Sequence, residues 1–353
     1  MVAAKTAIFR HRKFTIFRWN RVCYDVRIND GSGTIRSDRE AAKGSVLTYP
    51  LSVRPALRAI FLAIRLIAVP FAAIPAPYAA MVVDARSGKV LHSRNADTRL
   101  HPASLTKMMT LYVVFDAVEK GEISLDTRVK ISRKAASEPP SKLGLRAGSQ
   151  IRLRHLIRAA AIKSANDAAT ALGEAISGSE AAFARRMNRT ALAMGMTKTT
   201  FKNAHGLTES GHMSTARDMT TLGRHLFYDF PEYYNIFSRR STDAGIKTVN
   251  NTNRRFLNAY RGADGIKTGY TRAAGFNLTA SAERNGERII VTMFGGRSTA
   301  QRNARVAELM DMGFERAPRH VAVIKPRKPV IGPDGSIARV TRTSGLVTRM
   351  PRP

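Results

Sequence analysis

Ser104 and Lys107, in the stretch HPASLTKMMT, stand three residues apart, just after Pro102 and just before an apolar run. A serine hydroxyl is a poor nucleophile until a base takes its proton, and a lysine one helical turn along lies on the same face. Lysine serves as that base only where burial or a second cation depresses its pKa. The plainer reading of the pair is a helix start with the serine as cap. Two further groups bear on the choice. IKSANDAAT places Ser164 and Asn166 on a loop between helical patterns, with Asn166 or Asp167 capping the second helix. DGIKTGYT places Lys267, Thr268 and Gly269 on a strand, where a glycine leaves room for a substrate backbone along the strand edge. Each group alone is common; together they supply a nucleophile, a base, a second hydroxyl, an amide and a second cation.

Such residues need rigid elements behind them. AAMVVDARSGKVLHS reads as strand, turn and strand, a hairpin. From Pro102 to about Glu119 the pattern is helical and apolar on nearly every side, through Met108, Met109, Leu111, Val113, Val114, Phe115 and Val118. A helix apolar all round belongs at the centre of a domain, and Gly121 ends it. Helical patterns follow near 153–162, 167–177, 179–194 and 215–228. AGFNLTASAERNGERIIVTMFGG then alternates as strands about Asn285-Gly286, a two-residue hairpin signal, and a last helix spans about 299–314. The order implies one mixed α+β domain: an antiparallel sheet shared by the first hairpin and the late strands, the apolar helix between sheet and a helical subdomain.

The 353 residues carry a net charge of +32, which raises nucleic-acid binding as a first candidate. The charge is uneven: residues 1–76 hold 13 Lys and Arg against 4 Asp and Glu, and residues 317–353 hold 8 against 1. No zinc-finger spacing, aromatic RNA-binding motif or heptad-linked basic region accompanies it, so nucleic acid is not the expected partner. A basic surface equally suits an anionic wall polymer or membrane. The only cysteine, Cys23, excludes a disulfide framework, a cysteine zinc site and a thiol nucleophile from the middle of the chain. His205 and His212 read as polar loop residues rather than metal ligands, and no metal or cofactor is expected. The absence of G-x-S-x-G argues against an α/β-hydrolase elbow.

Before the domain, VRPALRAIFLAIRLIAVPFAAIPAPYAA has a basic start (Arg54, Arg58, Arg65), a short apolar core from Leu66 to Ile74 and a small-residue end near Ala76 or Ala80. That is the order of an export signal, and Arg65 breaks the run short of the roughly 18–20 residues of a membrane span. Residues 54–76 are therefore expected to direct export to the periplasm or cell envelope. Export signals begin a chain, so residues 1–53 read as an over-extended start, with a genuine cytosolic extension as the alternative. The domain is expected over 77–316, followed by a Pro/Arg-rich, linker-like tail over 317–353 with one short hairpin at GPDGS.

S-x-x-K, S-x-N and K-T-G, at 104, 164 and 267, resemble in order and spacing the three motifs of the penicillin-recognising serine enzymes. Within them the chain is similar to the D-alanyl-D-alanine carboxypeptidases, low-molecular-mass penicillin-binding proteins, through VVDARSGKVL, HPASLTKMMT, SANDAATALGE, NAHGLTESGHMSTARDM, RFLNAYRGADGIKTGYTRAAGFNLTASA and MFGGRS. The resemblance implies a β-lactamase/transpeptidase-like fold, peptidoglycan stem peptides as substrate and β-lactam antibiotics as covalent inhibitors. It also implies the roles. Ser104 attacks the penultimate D-alanine carbonyl, Lys107 takes its proton, and Ser164 relays a proton to the leaving nitrogen with help from the charge of Lys267. Asn166 orients the substrate amide, and the N–H groups of Ser104 and Tyr270 form the oxyanion hole. Thr268 holds the terminal carboxylate, and Arg302 pairs with it, with Arg297 as the competing candidate. A D,D-endopeptidase acting on cross-links is the alternative. A β-lactamase is disfavoured because no Glu-x-x-Leu-Asn segment follows Ser164, and a non-catalytic basic wall-binding protein because the motif residues are intact. Many members carry a second β-rich domain and an amphipathic C-terminal anchor. The 37 residues after the domain have no apolar helical stripe, which leaves peripheral attraction of the basic tail to membrane or wall as the expectation.

Overall fold

The computed structural model describes residues 77–330 and, near the start, one short antiparallel pair of Arg18–Trp19 with Val22–Cys23. The chain divides into units Met1–Ala73 and Ile74–Pro353, and every element from Ala79 onward belongs to the second. The expected export segment, most of the 1–53 extension and the hairpin at GPDGS lie outside the described residues.

Five strands form one antiparallel sheet: β1 (Ala79–Asp84), β2 (Val90–Arg94), β3 (Ala263–Thr271), β4 (Gly275–Arg284) and β5 (Glu287–Gly296), in the order β2-β1-β5-β4-β3. Both hairpins read from the sequence are present. Asn285 and Gly286 take φ of 52° and 77°, and Arg284 faces Glu287 across the two-residue turn. Backbone positive φ at both positions is what that turn requires, and Asn-Gly supplies it at least cost. Alternation along the inner strands sorts their side chains into two cores. Ala80, Val82, Leu278, Ala280, Ala282, Ile289 and Val291 face α5 (Thr299–Arg316) and its Val306, Leu309 and Met310. Met81, Val83, Ile266, Ile290 and Phe294 face the helical side. A sheet covered on both faces explains why β1 is buried along its whole length.

The longer helices on that side are α1 (Thr106–Glu119), α2 (Asn166–Ser177), α3 (Glu180–Ala193) and α4 (Ala216–Asp229). The apolar helix α1 is buried on nearly every face, as its sequence predicts. It lies among α2, α3 and α4, while α4 covers the sheet, and a 3-10 turn at Ala103–Leu105 carries the start of α1 onto β3. As the sequence suggests, α1 touches strand β3 on one side and the other helices on the rest, and α4 shares the sheet face with it. The tail after α5 has no regular structure through 330 but does not hang free. Arg86 donates to the Pro318 carbonyl at 2.7 Å, and the Ile324 N–H donates to the Arg86 carbonyl at 2.8 Å. Lys328 pairs with Glu119 and sits 4.3 Å over the Phe230 ring. Among the described residues no helix is long and apolar enough to cross a membrane.

Candidate active site

Ser104 lies in the 3-10 turn ahead of α1, and its hydroxyl does not cap the helix: the N-cap is Leu105, without a side-chain bond. Ser104 Oγ instead accepts from Lys107 Nζ at 3.1 Å. The turn is pinned from two sides. A Cβ on Gly269 of β3 would come within 2.9 Å of the Pro102 carbonyl and 3.1 Å of Ser104 N. One on Gly206 would sit 1.9 Å from the Ala103 carbonyl, and Gly206 holds φ +87°. The room left by Gly269 is therefore taken by the turn that carries Ser104, a nearer reason for glycine than an approaching substrate. β3 is the last strand of the sheet, so its outer edge remains unpaired within it.

Lys107 is fully buried and donates to three oxygens: Ser104 Oγ, Asn166 Oδ1 at 2.7 Å and the His205 carbonyl at 2.7 Å. Burial first, and the Lys267 ammonium second, hold its pKa well below the usual lysine range, while Glu138 and Asp167 oppose the shift. Both conditions for a lysine base are met.

Ser164 and Asn166 owe their places to an irregular junction. The helix at Leu153–Arg158 passes into a π turn at Ala159–Lys163, and Ser164 then takes φ 62°, ψ 35°. A non-glycine residue in the left-handed region stores strain that the packing around it must balance. The Ser164 hydroxyl has no hydrogen-bond partner among the described residues, and Ser164 is 6% exposed. The expected cap is corrected here as well: Ala165 is the N-cap of α2, without a side-chain bond. Asn166 in the first turn spends its side chain on Lys107 and, through Nδ2, on the Pro139 carbonyl at 2.9 Å. Asp167 accepts from the N–H groups of Leu143, Gly144 and Leu145, fixing the loop over the site.

Lys267, Thr268 and Gly269 lie on β3, beside the turn that carries Ser104. Burial, then the Arg302 guanidinium, bring Lys267 down to about 7, and its Nζ donates to the Thr268 carbonyl at 3.1 Å. Thr268 Oγ1 donates to Thr252 Oγ1 at 2.8 Å, and the Thr252 N–H bonds the Ile162 carbonyl, tying β3 to the π turn. Tyr270 is 57% exposed, with its ring tilted against that of Phe276 at a centroid distance of 4.3 Å. Of the two arginine candidates, Arg302 is buried and bonds the Asn277 carbonyl and Asn303, whereas Arg297 is exposed. Burial pushes Arg302 down to about 10, still charged at neutral pH.

His205 and His212 lie in the irregular segment between α3 and α4, as read, and both are buried. His212 Nε2 bonds Thr106 Oγ1 at 2.8 Å and His205 lends its carbonyl to Lys107. Asn277, which reaches the His101 carbonyl at 3.1 Å and the Gly295 N–H at 3.0 Å, escaped the sequence reading too. A fully buried polar residue inside an apolar strand pattern was its one available signal. A cavity of about 170 Å³ between Phe115, Ile157 and Tyr233, rimmed by Arg154, Arg158 and Arg239, contains none of these residues.

A serine with a buried lysine beside it, a second serine and lysine close by, and a five-stranded antiparallel sheet flanked by helices define a class: serine enzymes of β-lactamase/transpeptidase-like fold. Residues 70–298 match the family model described as D-alanyl-D-alanine carboxypeptidase, and the chain belongs to that family. It is 39% identical over 246 residues to the D-alanyl-D-alanine carboxypeptidase DacF of Bacillus subtilis, covering 68% of this chain and 63% of that one. To DacA of Escherichia coli it is 39% identical over 241 residues, 66% of this chain and 60% of the relative. The match thus spans under two thirds of the length of these relatives. The DacD structure from Francisella tularensis superposes with a TM-score of 0.64 at 33% identity, over 68% of this chain and 71% of that chain. Penicillin-binding protein D2 of Listeria monocytogenes, in an ampicillin-bound form, gives 0.62 at 34%, over 67% of this chain and 96% of that chain.

Proposed function

We propose that this protein is a serine-type D-Ala-D-Ala carboxypeptidase that removes the terminal D-alanine from peptidoglycan stem pentapeptides. The observation that carries the reading is Lys107 Nζ, buried, depressed in pKa and 3.1 Å from Ser104 Oγ. Ser104 Oγ bonds to the carbonyl carbon of the penultimate D-alanine as its proton passes to Lys107. The oxyanion that forms faces the N–H groups of Ser104 and Tyr270, and each such donor is typically worth about a hundredfold or more in rate. Collapse breaks the C–N bond, and the departing nitrogen takes a proton through Ser164, beside the charge of Lys267. Water then attacks the ester on Ser104 and releases the shortened peptide. Asn166 orients the substrate amide while it holds Lys107. Thr268 and the buried cations Lys267 and Arg302 receive the terminal carboxylate, the group that distinguishes a chain end from an interior bond. Gly269 lets the nucleophile lie close against β3.

β-Lactams act as covalent inhibitors in this reading, supported by the ampicillin-bound form of the Listeria relative. The order of charge and apolar residues in 54–76 supports export, with action at the periplasm or cell envelope. The basic tail adds peripheral attraction to membrane or wall.

Labelled penicillin followed by intact mass tests the nucleophile: wild type gains one adduct and Ser104→Ala gains none. No Ser104-dependent adduct defeats the enzyme reading. Offered a pentapeptide ending in D-Ala-D-Ala beside a cross-linked dimer, the protein releases D-alanine from the pentapeptide only. Cleavage of the dimer instead identifies an endopeptidase. Arg302→Ala should lose peptide turnover far more than melting temperature.

A further inference from the structure

Behind Lys107 lies a buried group of Glu138, Glu180 and His205, whose ligand-type atoms fall within 4.8 Å of one another. The spacing would suit a metal ion, but the hydrogen bonds do not. His205 Nδ1 accepts from the Leu207 N–H at 3.1 Å, so a neutral ring carries its proton on Nε2 and has no lone pair there to offer a metal. His205 Nε2 lies 3.4 Å from both Glu138 Oε2 and Glu180 Oε1. Glu180 Oε2 is already paired with Lys134 at 2.6 Å, and Thr170 donates to Glu138 at 3.0 Å.

One of these carboxylates, Glu180, also grips the backbone that leads to Lys107. Glu180 Oε1 accepts from the Ala204 N–H at 3.1 Å, and the Ala204 carbonyl accepts from Thr110 Oγ1 at 2.6 Å. The next carbonyl, that of His205, accepts from Lys107 Nζ at 2.7 Å. The residue after it, Gly206, abuts the Ala103 carbonyl beside Ser104. Ring, peptide plane and lysine are therefore one connected unit.

We infer that Glu138 and Glu180 are positioning residues for the general base: they fix the tautomer and place of His205, and through its carbonyl they hold Lys107 against Ser104. This rests on the serine-peptidase reading proposed above. Glu138 has a second effect, because its charge opposes the forces that strip Lys107 of its proton. The charged or titratable groups acting on Lys107 are Lys267 from β3, Asp167 from α2, and Glu138 from the segment after the helix Arg133–Ser137. Those acting on His205 are Lys107, Glu180 and Lys134. Burial, then Lys107, bring His205 down to about 4, so the ring is neutral while the enzyme works. Against the cost of burial, Lys134 and the Ala204 N–H hold Glu180 below its usual range and ionised.

The test is the pH dependence of penicillin adduct formation at Ser104, by intact mass, on the full chain. Glu180→Ala removes the acceptor of the Ala204 N–H and should lower the plateau rate roughly tenfold to a hundredfold, the cost of a misplaced reacting group. Glu180→Gln, whose amide oxygen still accepts that bond, should recover most of the loss. Glu138→Gln removes a negative charge that favours protonated Lys107, so its acidic limb should move to lower pH. A purely structural role would not move that limb. A folded Glu180→Ala protein that acylates like wild type overturns the inference, as does an unmoved acidic limb in Glu138→Gln. Should Glu180→Ala fail to melt cooperatively, the Glu138→Gln limb decides alone. A wild type without an adduct sinks the peptidase reading itself, which is a different result.

Discussion

Lys107 and Lys267 are the same residue type given opposite duties by their surroundings. Lys107 is fully buried, has no carboxylate in hydrogen-bond contact and sits beside another cation, conditions that expel its proton. Lys267 is equally buried but holds on to its proton up to about 7. On the proposed roles, Lys107 must be neutral to accept a proton and Lys267 must be charged to meet a carboxylate. The rate on a D-Ala-D-Ala pentapeptide, as kcat/KM, should therefore rise as Lys107 deprotonates and fall as pH climbs through about 7. Bound carboxylate favours charged Lys267, so the alkaline limb of kcat should lie higher than that of kcat/KM. Lys267→Arg keeps its charge throughout and should lose the fall near neutrality, at a lower overall rate because the guanidinium has a different reach. A variant that declines at the same pH as wild type removes Lys267 from this duty.

At the scale of elements, Ser104, the proposed nucleophile, is held by a short turn squeezed between strand β3 and the loop at 203–209. Gly269→Ala puts a methyl within 2.9 Å of the Pro102 carbonyl and 3.1 Å of Ser104 N, so the turn must shift. A shift of about an ångström is enough to cost roughly a hundredfold in acylation. The variant should keep its melting temperature within a few degrees and lose adduct formation, and acylation at the wild-type rate would refute the clamp. Much of this frame was legible beforehand. Apolar alternation marked the strands, Asn285-Gly286 marked the turn between β4 and β5, and residue types and spacing marked Ser104, Lys107, Ser164, Asn166 and Lys267. What escaped was whatever depends on a partner distant in the chain. The His205 carbonyl has no side-chain letter to announce it. Glu138 and Glu180 look like ordinary acids until folding buries them around one imidazole.

For the molecule as a whole, buried histidines in a strongly basic chain set how stability responds to acid. His205 is brought to about 4 and His212 to about 3, each by burial first, with Lys107 next for His205 and the His205 ring next for His212. His92 and His155 are lowered too, by burial and then by neighbouring arginines, in a protein of net charge +32. Each of these groups binds its proton more weakly folded than unfolded. Their contribution is therefore fully present above the unfolded value of 6.5 and is lost as pH falls toward the folded values. Glutamates with an ordinary value of 4.5 remain largely ionised through most of the interval from there to 6.5, so the slope in that window is set by the buried histidines together with the depressed Lys107. One fully shifted histidine supplies a slope of about 1.4 kcal/mol per pH unit. His212 is shifted further than His205, accepting from the Lys202 N–H at 3.1 Å through Nδ1 and reaching Thr106 through Nε2. His212→Asn can keep the first bond and cannot titrate. In urea melts at a series of pH values it should be less stable than wild type at pH 7, yet lose stability more slowly as the pH falls below 6.5. Parallel slopes for the two proteins would show that His212 is protonated in the folded state and that the acid sensitivity of this domain originates elsewhere.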